Sequence, residues 1–206
     1  MTASGVTGRR LRPAAALAAV LALAAWSGGA CGGRPPAPAA ACAPVDGRLP
    51  VGARADGLAG EFRLTLVATR GARAGQSASG TLRLQSFGDR PLPLRAAPGV
   101  RYPLFGGAEV DLAAVGALAP GAIERADAAR PGVLVMEWPQ AHGPTGAYEV
   151  SLRLGADANQ GSLERFDGTY MSLFLTALSR DGFAGGWESG GGEPVAGGYF
   201  CAERTG

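Results

Sequence analysis

Tyr170-Met171-Ser172-Leu173-Phe174-Leu175-Thr176-Ala177-Leu178-Ser179, followed by Arg180-Asp181-Gly182 and Phe183-Ala184-Gly185-Gly186-Trp187-Glu188-Ser189, decides the fold. The first ten residues are apolar and strand-like. Asp181-Gly182 is a two-residue turn signal, because both central positions of a type I′ turn need positive φ. Phe183 to Ser189 then returns as the partner strand. Counting outward from the turn pairs Arg180 with Phe183, Leu178 with Gly185, Thr176 with Trp187 and Phe174 with Ser189. One face then carries Phe174, Thr176, Leu178 and Trp187, and the other carries Leu173, Leu175 and Ala177. With both faces largely apolar, the sheet is covered on both sides here, or one face meets a ligand, a partner or a membrane surface.

Working outward, the same signals recur. A final strand covers Gly197 to Glu203 and contains Cys201. Ala147 to Leu154 alternates, with Tyr148, Val150, Leu152 and Leu154 on one side. Val133 to Trp138 is a strand stopped by Pro139, and another is expected at Ala108 to Ala113. Ala122 to Ala129 fits one or two helical turns, bounded by Pro131. Arg90 to Pro103 holds four prolines and cannot be a central strand. Phe62, Leu64, Leu66 and Ala68 alternate with polar neighbours. The Gly-rich loop Arg70 to Ser79 joins that strand to Thr81–Gln85 as a hairpin. About eight short strands with almost no helix give an all-β fold. An antiparallel up-and-down β-barrel comes first and a two-sheet β-sandwich second. In strand number the domain is similar to small calycin-like barrels.

The start of the chain has a different grammar. Arg9, Arg10 and Arg12 precede an uncharged run from Ala14 to Trp26, thirteen residues long. Small residues Ser27-Gly28-Gly29-Ala30 and then Cys31 follow. A spanning helix needs roughly 20 apolar residues, whereas a signal-peptide core of about 7–15 fits this run. Residues 1–30 therefore read as an export signal. Ala30-Cys31 resembles the lipobox of bacterial lipoprotein precursors, with Gly28 where that family has Leu. The resemblance covers residues 1 to 31. It implies that Cys31 carries a diacylglyceryl thioether, becomes the new N-terminus and is the point of lipid attachment. Ordinary secretory cleavage after Ala30 is the alternative. Residues 31–44, with Pro35, Pro36 and Pro38 and no bulky apolar side chain up to Ala41, read as a flexible Gly/Pro/Ala tether. Ten such residues reach about 30 Å. Residues 45–206 form one β domain, long enough for a single core. The expected location is the cell envelope, lipid-anchored to a bacterial membrane.

Charge narrows the partners. All nineteen basic residues are Arg, and three of them leave with the signal. Sixteen Arg then face seventeen Asp and Glu, a mature charge near −1. No basic field for nucleic acid remains. Cys42 and Cys201, an even pair in an exported chain, are expected to form a disulfide.

Little catalytic chemistry is visible. The single histidine, His142, lies in Gln140-Ala141-His142-Gly143-Pro144. Zinc needs three or four suitable ligands, and with both late cysteines bridged no metal site assembles. No Gly-x-Ser-x-Gly elbow occurs, and a phosphate loop is excluded by the absence of Lys. Asp157-Ala158-Asn159-Gln160-Gly161 falls short of a calcium loop at its fifth position and at its twelfth, Gly168, and reads as a turn. Glu109 and Asp111 lie two apart on one strand face and read as solvated residues. No catalytic residue and no cofactor is assigned. Aromatics crowd the last strands. Phe174, Trp187 and Tyr199 are the candidates for lining a small apolar ligand's cavity. The reading is a non-enzymatic envelope domain, either binding a small apolar ligand or serving as a structural component. Its rival is a hydrolase or isomerase with a site in the barrel mouth, using His142 or a carboxylate pair.

Overall fold

The computed structural model describes residues 42–50, 52–90, 99–118, 124, 126–138, 150–155, 170–191 and 193–206. Eight strands follow in chain order: β1 Gly60–Arg70, β2 Ser77–Ser86, β3 Leu104–Glu109, β4 Val133–Glu137, β5 Val150–Leu154, β6 Tyr170–Leu178, β7 Gly182–Gly191 and β8 Glu193–Arg204. Each is antiparallel to the next, and β8 returns to β1, so the sheet closes as an up-and-down barrel. Closure removes exposed edges. It is the all-β barrel expected from the strand count.

Alternation explains the wall. In β1, Phe62, Leu64 and Leu66 point inward and are fully buried, while Glu61 and Arg63 are exposed. Opposite them, Leu82, Gly80 and Ala78 of β2 continue the inner surface. Leu152, Leu173, Trp187 and Phe200 fill it from the far wall. β4 and β5 are buried at every residue. Outside the barrel, Phe87, Tyr102, Phe105, Leu134 and Met136 form a second apolar cluster that covers β3 and β4. Strands covered on both faces read as continuous apolar runs rather than alternating ones.

The β6–β7 hairpin departs from its expected register. Leu178, not Arg180, is opposite Phe183, and Leu173, not Thr176, is opposite Trp187. Two causes add up. The loop is longer than two residues: the Ser179 N–H donates to the Gly182 carbonyl at 2.8 Å. Thr176 is then taken up in a bulge between Leu175 and Ala177. The total slip at Trp187 is odd, so the faces exchange. Trp187 joins Met171, Leu173 and Leu175 inside, while Thr176 turns outward and donates to the Val45 carbonyl at 2.9 Å. Gly185 permits the bend, since a Cβ there would lie 1.9 Å from the Phe174 carbonyl oxygen.

Two other expectations shift. The third strand is Leu104–Glu109 rather than Ala108 to Ala113. Asp111 ends it, because its carboxylate accepts from the Ala113 and Ala114 N–H groups at 3.0 and 3.3 Å and starts a 3₁₀ turn, Ala113–Val115. In the expected helical stretch, residues 122, 123 and 125 lie outside the described residues. Ala126 to Ala129 is not helical, and Ala126 instead bridges to Pro131.

Cys42 and Cys201 are bonded, with Cα atoms 5.7 Å apart across 159 residues of sequence. Closing so long a loop stabilises by about 5 kcal/mol in the chain-entropy model. From Cys42 the chain crosses the outside of the wall from β8 to Thr176 on β6, and Leu49 then enters the core.

Trp187→Ala is expected to cost about 3–5 kcal/mol in urea unfolding followed by circular dichroism. Thr176→Ala, removing one outward hydrogen bond, is expected to cost about 1 kcal/mol. Equal losses at the two positions would return Thr176 to the core and the hairpin to the shorter register.

Candidate functional site

The end of the barrel where β1 begins and β8 finishes sets charged side chains over buried aromatic rings. The Arg204 guanidinium lies 4.6 Å above the Phe62 ring. It donates to the carbonyls of Gly57 (2.9 Å), Ala59 (3.0 Å) and Arg180 (3.1 Å). One side chain thus ties the last strand to a 3₁₀ turn, Asp56–Leu58, and to the β6–β7 loop. Such forked donation suits a guanidinium, whose N–H groups are fixed in a plane. Gly60 makes room for it, since a Cβ there would sit 2.2 Å from the Arg204 Nη1. Beneath, Phe183 packs edge-on against Phe62 and Phe200, with ring centroids 5.1 and 5.9 Å apart.

Glu137, at the end of β4, holds the other side of the same turn. Its carboxylate is only 9% exposed. Oε1 accepts from the Ala55 N–H at 2.6 Å, and Oε2 faces Arg101 Nε at 3.0 Å and Arg54 Nε at 3.6 Å. Arg101 also reaches Asp56, and its backbone exchanges both hydrogen bonds with Glu137. Leu49, Ala55 and Leu58 are buried below this network. Together they plug the barrel end. The Glu137 carboxylate and the Arg204 guanidinium are both engaged by their partners, and together they hold the plug.

The three ligand candidates do not meet. Trp187 is inside, 1% exposed, and donates from Nε1 to the Val67 carbonyl at 3.1 Å. Phe174 and Tyr199 are half-buried on the outer face, on either side of Gly186. A common cavity lined by all three is therefore excluded, because the register sends Trp187 to the opposite face. Glu109 and Asp111 do not work as a pair either. Glu109 accepts from Arg83 at 3.0 Å while Asp111 initiates its turn. Hydrogen bonds to Glu61 and Glu109 raise the pKa of the exposed Arg83. On the outer face of β5, burial lowers that of Arg153, with the nearby Tyr102 opposing. Cys31, His142 and the Asp157–Gly161 stretch lie outside the described residues. Among the described residues no group of three or more His, Cys, Asp and Glu could hold a metal.

Beside the disulfide, an open depression of about 300 Å³ is lined by Leu178, Phe183, Ala184 and Cys201, with Asp181 and Glu203 at its lip. Arg204 and Glu137 carry no periodic signal of their own. Each is a charged residue closing an apolar strand, a position at which sequence alone suggests only a solvated end.

No family model matches the chain, and no curated protein matches it. Two solved structures are similar at 13% identity. The first is EF1p2_mFAP2b bound to DFHBI, with a TM-score of 0.33, covering 73% of this chain and 96% of that one. The second is a redesigned β-barrel, mFAP1, bound to DFHBI, with a TM-score of 0.32, covering 74% and 100%. At these values the likeness supports no reading of function.

Glu137→Ala leaves the buried Ala55 N–H unsatisfied and is expected to cost about 1–3 kcal/mol. Hydrogen exchange should accelerate first at the Ala55 and Leu58 amides. Unchanged protection at both would mean that Glu137 does not hold the plug.

Proposed function

We propose that this protein is an exported envelope domain, anchored by lipid at Cys31, that serves as a structural or surface-binding module and not as an enzyme or a carrier with an interior site. The observation that carries this reading is the close packing of the inward side chains among the described residues. Phe62, Phe183 and Phe200 occupy one end of the barrel, and Trp187 with Leu66, Leu152 and Leu173 occupies the middle. A barrel that carries a small apolar ligand inside needs that volume empty. The outward residues Glu61, Arg63, Thr65, Ser79, Thr81 and Arg83 suit a wall that faces water rather than lipid. The export signal and Cys31 supply the membrane connection. Anchoring by several acyl chains follows from roughly 0.8 kcal/mol per buried methylene.

A second reading rests on the depression beside Leu178 and Phe183. A small apolar ligand would bind there, at the rim. The two are separated by titrating an apolar fluorophore. A structural module leaves it unbound, whereas rim binding saturates at one site and is lost in Leu178→Asp, a change at a half-buried position packed against the edge of the core, in protein whose circular dichroism remains that of the folded barrel.

Cys31→Ser is expected to move the protein from the membrane to the soluble fraction, and the wild-type N-terminal peptide to carry acyl chains in mass spectrometry. A wild-type chain that is soluble and begins at an unmodified Cys31 would overturn the anchor.

A further inference from the structure

The Cys42–Cys201 bond joins the barrel at a place where closure does not depend on it. β8 is already hydrogen-bonded to β7 on one side along nearly its whole length and to β1 on the other from Gly197 to Arg204. The entering chain is held far more lightly. Ala43 to Arg48 are exposed, and the Thr176 hydroxyl on the Val45 carbonyl is the side-chain hydrogen bond between Cys42 and Leu49 with ordinary geometry among the described residues. Cys201 Sγ approaches the Ala43 carbonyl at 3.8 Å, a weak contact. Beyond Arg48 comes Leu49, and the chain then runs directly into the plug formed by Ala55 and Leu58 over the aromatic end of the core.

These facts fix two alternative paths for tension. Without the bond, a pull on the chain ahead of Cys42 lifts the exposed segment and is delivered to Leu49, and through it to the plug. With the bond, the same pull passes from Cys42 to Cys201 and into the middle of a strand paired on both sides. Peeling exposed residues breaks weak contacts one at a time, whereas displacing β8 must break two ladders together. We infer that the Cys42–Cys201 bond is a strain relief, diverting tension from the membrane anchor away from the plug and into β8. The inference rests on the lipid-anchor reading for the source of that tension, but the path itself is a property of the folded chain.

The test stretches the mature chain in an optical trap, with one handle ahead of Cys42 and the other on Gly206. In the oxidised protein the residues between the two cysteines lie behind the bond, so no unfolding step is expected. After reduction in place, a first step at low force should lengthen the chain by up to about 25 Å, the extended length of Cys42 to Leu49, less the distance the segment already spans. A separate step at higher force should then open the barrel. Cys42→Ser combined with Cys201→Ser should give the same two steps, and reduced wild type serves if that variant does not fold. A reduced chain that opens in one step, with no early lengthening, would overturn the inference. So would an oxidised chain that releases the barrel. The trace does not depend on acylation, so failure of the anchor in fractionation and failure of the clamp in the trap are distinct results.

Discussion

Closure of β1 against β8 is the constraint on which everything else depends. A two-stranded hairpin is marginal in water, and a chain of hairpins gains stability when a shared interior is sealed. Here the seal is made by the first and last strands. Its outer end is fastened by Arg204, which spans from the final strand to the carbonyls ahead of the first. The cation sits over an aromatic face and its donors are satisfied by backbone, so it can be partly covered without an unpaired charge. Glu137 fastens the same turn from the opposite wall. The plugged end is thus a junction of β1, β4, the β6–β7 loop and β8, held by two charged side chains whose partners are mostly backbone.

Much of this was legible in the sequence. Strand alternation in Phe62–Ala68 and Val150–Leu154 identifies inward residues without any structure. An even pair of cysteines behind an export-like leader points to the bridge between Cys42 and Cys201. The turn at Asp181-Gly182 is also real, yet its register is not two-residue. Turn chemistry reports where a chain reverses, but Thr176 could leave the ladder only because an outside partner, the Val45 carbonyl, was waiting 131 residues away. That contact is non-local and invisible to periodicity.

The candidate site fared differently for a related reason. Phe174, Trp187 and Tyr199 look equivalent as aromatics on neighbouring strands, and one odd slip assigns Trp187 to the interior and leaves the others outside. Arg204 and Glu137 have no signal in the sequence because their roles come largely from carbonyls and an amide brought together by closure. Backbone groups have no signature in a sequence of side chains. Asp111 illustrates the local case: a carboxylate two residues from an amide ends a strand, which composition does not reveal but a turn-by-turn reading could.

The double covering of β4 has a consequence for how the chain survives before it folds. Val133-Leu134-Val135-Met136 is apolar on both faces, with β-branched valines on one of them, a sequence type that stacks readily with copies of itself. In the finished barrel one side faces the interior and the other faces Phe105 and Phe87, so the segment is hidden twice. Until both coverings are in place it is exposed on at least one side. It is flanked by Pro131 before and by Glu137 and Pro139 after, residues that resist the extension of a stacked sheet. The same Glu137 that later grips the plug therefore stands, in the unfolded chain, as a charge at the margin of an aggregation-prone segment.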